Sequence, residues 1–350
     1  MEYDIFTAPQ NAPDVPPAWL IGLQRFQNSD FVRPEHEYEV IWSHKKVRCF
    51  RVNHANNAPN LLIIPSLINR YYILDLSISD LGDKLSLAKY LANSGINVFL
   101  LDWDEPSEED GELDAAGYVM DYLQPLLEHL SLQTNNMIHV MGYCVGGVLA
   151  LALAVLQPKM VKSLILIATP WNFAVDNYPN KLWSSHQQII TNSWCNNSPL
   201  VSGAYLSWLF YLAAPEQFEE KYKYFNNLSH DSESYHRFLA VENWVNDTVP
   251  LTSAFARNCL IDWAEHNITA KGEWLVEGTR ITPDKIKCRS LVVAPINDKI
   301  VTMANAKSIA NQMRDVEVLT PPTGHIGMII GGERHKNLWQ PMVEWINAHS

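Results

Sequence analysis

Long hydrophobic runs are missing from this chain of 350 residues. The longest uninterrupted apolar stretch, Val148 to Leu156, is far short of the roughly 20 residues that a membrane-spanning helix needs. Positive charge is also scarce: 26 Lys and Arg face 38 Asp and Glu, a formal net charge of −12. Neutralising a phosphate backbone takes clustered Lys and Arg, so a general nucleic-acid binder is excluded. A local basic pocket for an anionic small molecule remains compatible with this balance. Cysteines are few, at 49, 144, 195, 259 and 288, odd in number and without CxxC spacing. That pattern excludes a disulfide framework or a zinc site and implies reduced thiols in the cytoplasm. The opening "MEYDIFTAPQNAPDVPPAWL" lacks the basic region and apolar core of a secretory signal. Internal repeats and low-complexity tracts are lacking too.

What is present describes a globular protein. Hydrophobic residues make up 47% and charged residues 18%, enough to bury a large core in one α/β domain with an insertion, or in two modest domains. The first 35 residues, with Pro9, Pro13, Pro16 and Pro17, suggest an extended arm with one short helix. "YEVIWSHKKVRCFRV" alternates around Ser43–Lys46, which predicts a hairpin. From residue 60 the period changes. "NLLIIP" (60–65), "INVFLLDW" (96–103), "MIHVMG" (137–142) and "SLILIATP" (163–170) are short apolar runs of the kind buried on both faces of a parallel sheet. Helical segments fall between them, one over 83–93 and one over 113–130, the latter kinked or ended by Pro125. Strand–helix alternation implies a parallel α/β sheet with right-handed crossovers.

Residues 171–280 break this rhythm. They hold 19 of the chain's 37 aromatics and predict a mainly helical cap inserted into the sheet domain. The aromatics would shield a site from water or simply form a core or a dimer surface. The sheet resumes at 288–295, followed by a helix near 303–313, a strand at 316–320 and a closing helix over 336–348. The expected division is therefore an arm and hairpin (1–55), a core (56–170 and 281–350) and a cap (171–280).

The informative stretch is "HVMGYCVGGVLA" (139–150), in which Cys144 stands between a strand and an apolar helix. The sharp turn needs Gly142 and Gly146 beside the thiol, where a Cβ would clash. It raises the thiol above the carboxyl edge of the sheet and aims the Val145 N–H at a developing oxyanion. A helix N-terminus also favours thiolate. Taken alone, GxCxGG fits a buried structural cysteine equally well. Order in the chain adds the rest: Asp298 follows a late strand, and His325 lies in a Gly-flanked loop after the next one. Nucleophile, acid, histidine is the order of α/β-hydrolases. In such a triad His325 removes the thiol proton and Asp298 fixes its tautomer. The second oxyanion donor belongs to "PSLINRYY" (65–72), from Leu67 or Ile68, with Ser66 as a turn residue. The acidic run "DWDEPSEEDGELD" (102–114) reads as a solvated loop.

With these motifs in hand, the chain resembles the polyhydroxyalkanoate synthases, in "INRYYILDL" (68–76), "GINVFLLDW" (95–103), "GYCVGG" (142–147), "ENWVNDTVP" (242–250) and "GHIGM" (324–328). The resemblance implies an α/β-hydrolase fold with an inserted helical cap and catalytic Cys144, Asp298 and His325. It also implies a (R)-3-hydroxyacyl-coenzyme A substrate and a polyester product, with no cofactor. It further implies the short catalytic subunit of a two-subunit enzyme, a homodimer, acting at a polyester granule surface in the cytoplasm. Two departures stand out. Lys299 follows Asp298 where the family carries histidine, and "PTGHIGM" replaces a more Gly-rich approach to the histidine. A thiol nucleophile suits the task, since thioester exchange is nearly isoenergetic and the acyl-cysteine can pass on to a hydroxyl if water is kept out. The competing readings are a cysteine hydrolase of the dienelactone hydrolase type, whose acid follows the nucleophile much more closely, and a non-catalytic granule-associated homologue.

Overall fold

The computed structural model describes residues 16–78, 82–175, 197–207 and 215–350. Eight strands make the central sheet: β1 (Glu39–His44), β2 (Val47–Arg51), β3 (Asn60–Ile64), β4 (Asn97–Asp102), β5 (Ile138–Tyr143), β6 (Val161–Ile167), β7 (Arg289–Val293) and β8 (Val316–Leu319). Their order across the sheet is β1-β2-β4-β3-β5-β6-β7-β8. All neighbours pair in parallel except β2, which runs against both β1 and β4. The hairpin therefore belongs to the main sheet, and its two-residue turn places Lys45 at φ 50°. Strands β3 and β5 are buried at every position, as their nearly all-apolar runs require when helices cover both faces. The chain passes from β3 out to β4 and returns to β5 on the other side of β3. That reversal opens a crevice at the carboxyl ends of β3 and β5, where ligands of open α/β sheets bind.

Helix α1 (Ala18–Gln27) precedes the sheet, and α2 (Leu87–Asn93) begins four residues later than the apolar pattern suggests. The reason is its cap. The Ser86 hydroxyl accepts the Lys89 N–H at 2.9 Å, while Gly82–Ser86 is taken into a short antiparallel ribbon with Asp75–Ile78. The next helical segment runs past Pro125 into α3 (Gln124–Thr134), because a π-helical turn over Tyr118–Leu123 precedes the proline. Proline has no N–H to give the preceding turn, and the wider turn accommodates the lost bond without ending the helix. Helix α4 (Val145–Leu156) is buried from Val145 through Ala154, as an all-apolar helix must be.

Between β6 and β7 lies the long insertion, with α5 (Pro215–Asn226), α6 (Glu233–Asn246), a short helix at Ser253–Arg257 and two small ribbons. Several of its described aromatics pack on one another. Phe225 stacks on Tyr235 at 5.1 Å and on Phe238 at 4.3 Å, and Trp171 and Trp263 are fully buried. These rings are core; the aromatics at 176–196 and 208–214 lie outside the described residues. Helix α1 crosses α5 so closely that a Cβ on Gly22 would sit 2.1 Å from the Tyr222 carbonyl oxygen. The arm thus packs on the insertion, although residues 1–15 are outside the described set. Helices α7 (Met303–Ala310) and α8 (Gln340–Ala348) complete the layers.

The acidic run is less solvated than its composition suggests. Asp102 is buried and bonds Arg48 at 2.7 Å, and Trp103 is buried beside it. Asp110 and Ser107 form a capping box, with Lys45 on the Asp110 carboxylate.

Candidate active site

Cys144 sits at the first bend after β5, with φ 54° and ψ −127°. A side chain pays for such a conformation, on the order of 1–3 kcal/mol, and keeps it only where the surroundings impose it. Here they do. The Cys144 N–H donates to the Ile167 carbonyl at 2.8 Å, and its own carbonyl accepts the Gly147 N–H at 2.9 Å. A Cβ on Gly146 would lie 2.3 Å from the Pro65 carbonyl oxygen, and one on Gly147 would lie 1.9 Å from Thr169 Oγ1. The start of α4 is therefore wedged between the ends of β3 and β6, and any larger residue would push it away. The thiol is buried, at 7% exposure.

Asp298 lies in the turn after β7, and His325 lies after β8, just before a short helix at Gly327–Ile330. Two backbone bonds, Ile296 N–H to Pro321 and Asn297 N–H to Thr323, tie these two loops together. One carboxylate oxygen of Asp298 accepts the Ile300 and Val301 N–H groups at 2.8 and 2.9 Å. The other oxygen meets His325 Nδ1 at 2.7 Å. With Nδ1 engaged by the carboxylate, the ring also interacts electrostatically with the Cys144 side chain. Thiol, imidazole and carboxylate thus stand in series.

The electrostatics follow from that series. Burial disfavours imidazolium, but the Cys144 sulfur and the Asp298 carboxylate outweigh it and push His325 up to about 10. Tyr143, which the sequence reading did not single out, is buried under the ring. Its hydroxyl donates to the His325 carbonyl oxygen at 3.4 Å, with ring centroids 5.2 Å apart. Burial first, then the nearby Cys144 and Asp298, hold this phenol far above its usual range and hence neutral. Its place directly before Cys144 was the available signal.

Val145 opens α4, and the first N–H groups of a helix have no partner within it. Ile68 is half-buried, and its N–H donates to Ser66 Oγ at 3.3 Å, so Ser66 serves as the turn residue of that loop. Lys299 is exposed. Among the described residues no group of three or more His, Cys, Asp or Glu could hold a metal ion, and no helix is long and apolar enough to cross a membrane.

A family model for the alpha/beta hydrolase fold matches residues 59–331. The chain belongs to the α/β hydrolase fold family. Among curated proteins, this α/β hydrolase is similar to the poly(3-hydroxyalkanoate) polymerase subunit PhaC of Thiocystis violacea, 25% identical with 94% of this chain and 93% of that one covered. The subunit of the same name from Allochromatium vinosum is 24% identical, with 88% of each chain covered. A longer relative so named, from Haloferax mediterranei, is 27% identical over 89% of this chain, which spans 64% of that protein. Among solved structures, the fold is similar to a thioesterase domain from the curacin biosynthetic pathway, at TM-score 0.53 and 14% identity, with 89% of this chain and 100% of that one covered. A monoacylglycerol lipase from Paleococcus ferrophilus gives 0.52 and 13%, with 86% and 99% covered.

Proposed function

We propose that this α/β hydrolase is a poly(3-hydroxyalkanoate) polymerase that builds polyester from (R)-3-hydroxyacyl-coenzyme A through an acyl-cysteine. The observation that carries the reading is the hydrogen-bonded pair His325–Asp298 beside Cys144 at a strand–helix turn, in a chain similar to PhaC subunits along most of their length. His325 takes the proton from Cys144, and the thiolate attacks the thioester carbonyl. The C–S bond to coenzyme A breaks, and coenzyme A leaves with the proton from His325. A substrate or chain-end hydroxyl then gives its proton to His325 and attacks the acyl-cysteine, forming the ester and freeing the thiol. Asp298 holds the ring by Nδ1 and stabilises its charged form. Val145 N–H supplies one oxyanion donor, and the 66–68 loop supplies the second. Ile68 would turn its N–H from Ser66 to do so, with Leu67 as the other choice. Residues 171–280 serve as the cap over the site. The similarity to proteins named subunits supports work with a second subunit, with the chain as a homodimer at a polyester granule in the cytoplasm.

The deciding experiment supplies (R)-3-hydroxybutyryl-coenzyme A to the purified protein, with and without a partner subunit, and follows released thiol and polymer together. Thiol with polymer is the expected result. Thiol with free acid alone would make the protein a hydrolase, and no thiol in either case would end the enzymatic reading. Cys144→Ala is expected to abolish release while circular dichroism stays unchanged.

A further inference from the structure

The loop that would carry the second oxyanion donor is held from both ends, and one of those ends belongs to the insertion. Upstream, Trp103 Nε1 donates to the Pro65 carbonyl at 3.0 Å. Downstream, Asn69, Arg70 and Tyr72 are attached to Trp244, Asp247 and Thr248 at and just past the end of α6. Asn69 forms an isolated antiparallel bridge with Thr248. The Arg70 carbonyl accepts Trp244 Nε1 at 2.8 Å, and Arg70 Nε meets Asp247 Oδ1 at 3.2 Å. Tyr72 donates its hydroxyl to the other Asp247 oxygen at 2.8 Å. The Arg70 guanidinium also pairs with Glu105 and lies 3.8 Å from Asp104. Inside the loop, the Ile68 N–H donates to Ser66 Oγ at 3.3 Å, a long bond. The position of the 66–68 backbone is therefore set by what grips it on either side.

We infer that Asp247 is a positioning residue for acyl transfer: by holding Arg70 and Tyr72 it lets the insertion set where the 66–68 loop presents its backbone N–H to the oxyanion. This rests on the reading of Cys144 as an acylated nucleophile, but not on the polymerase reading. One carboxylate with two oxygens, each engaged by a different residue of the same segment, fixes that segment in rotation as well as in distance. An oxyanion donor works only within hydrogen-bond reach of the tetrahedral oxygen, and losing one costs on the order of 10²–10³ in rate. A displacement near 1 Å costs on the order of 10².

The test separates chemistry that forms an oxyanion from chemistry that does not. p-Nitrophenyl acetate acylates Cys144 through a tetrahedral oxyanion, releasing p-nitrophenolate in a burst. Iodoacetamide alkylates the same thiolate by direct displacement, with no oxyanion. In Asp247→Ala, and separately in Trp244→Phe, the burst rate is expected to fall at least tenfold with alkylation within twofold of wild type. Asp247→Glu should recover most of the burst rate. Alkylation falling in step with the burst would show that the substitutions disturb the triad or the fold, and would overturn the inference. An unchanged burst in both variants would overturn it as well. A wild-type protein with no burst would instead sink the assignment of Cys144 as nucleophile.

Discussion

At the scale of single residues, the site turns on where one proton rests. His325 is held above its ordinary value of 6.5, at about 10, in spite of burial, by Cys144 and Asp298. Replacing Cys144 with Ala removes the larger of these supports, so the ring should titrate at lower pH. A nuclear magnetic resonance titration of the imidazole reads this directly, and an unshifted curve would contradict the assigned contact. The linkage has a definite sign. The folded value lies above the unfolded one, so the stability His325 contributes is full below about 6.5 and drains away as pH rises through about 10. In Cys144→Ala that drain should end at lower pH, visible in urea unfolding series run from pH 6 to 10. Asp298→Asn keeps the shape but removes the charge. Single-turnover acylation is expected to drop by about 10²–10⁴-fold, and its pH profile should shift toward lower pH as the ring loses its carboxylate.

At the scale of elements, the strand–helix turn is a packing solution before it is a chemical one. Gly146→Ala would press a methyl group against the Pro65 and Ile64 carbonyl oxygens, at 2.3 and 2.5 Å. Overpacking of this sort costs roughly 1–3 kcal/mol, and here it would also lift Val145 from its place. Urea unfolding should show the loss of stability and a burst assay the loss of acylation. Unaltered stability would mean that α4 can move away from β3 at little cost. Much of this level was legible in the residues. The apolar runs at 60–65 and 137–142 are strands because both faces are covered, and the glycine spacing around Cys144 requires close contact. Other features were not legible. Ser86 overrode the apolar period at α2, and the π-helical turn before Pro125 arises from a bond the proline cannot make. The burial of Asp102 depends on Arg48, which is 54 residues away in sequence but adjacent across the β2–β4 pair. The Asp247 grip on Arg70 and Tyr72 is likewise a tertiary contact across more than 170 residues, which neither spacing nor composition encodes.

At the scale of the whole molecule, the N-terminal helix fastens the insertion. Arg25 donates to the carbonyls of Phe225 and Asn226, both at 3.0 Å, and lies over the rings of Phe225 and Tyr235. Removing residues 1–28 should expose this aromatic cluster. Limited proteolysis is then expected to cut between α5 and α6 while the central sheet survives, and an unchanged digestion pattern would count against the role of α1. The proposed triad, too, belongs to the whole chain and not to any one part of it. Cys144 and its turn lie in the first half, but the acid and the histidine follow the insertion. Synthesis runs from the amino end at about 5–20 residues per second, so the 181 residues from Cys144 to His325 leave the nascent thiol without its base for roughly ten seconds or more. On the proposed reading, the enzyme is made nucleophile first and switched on last.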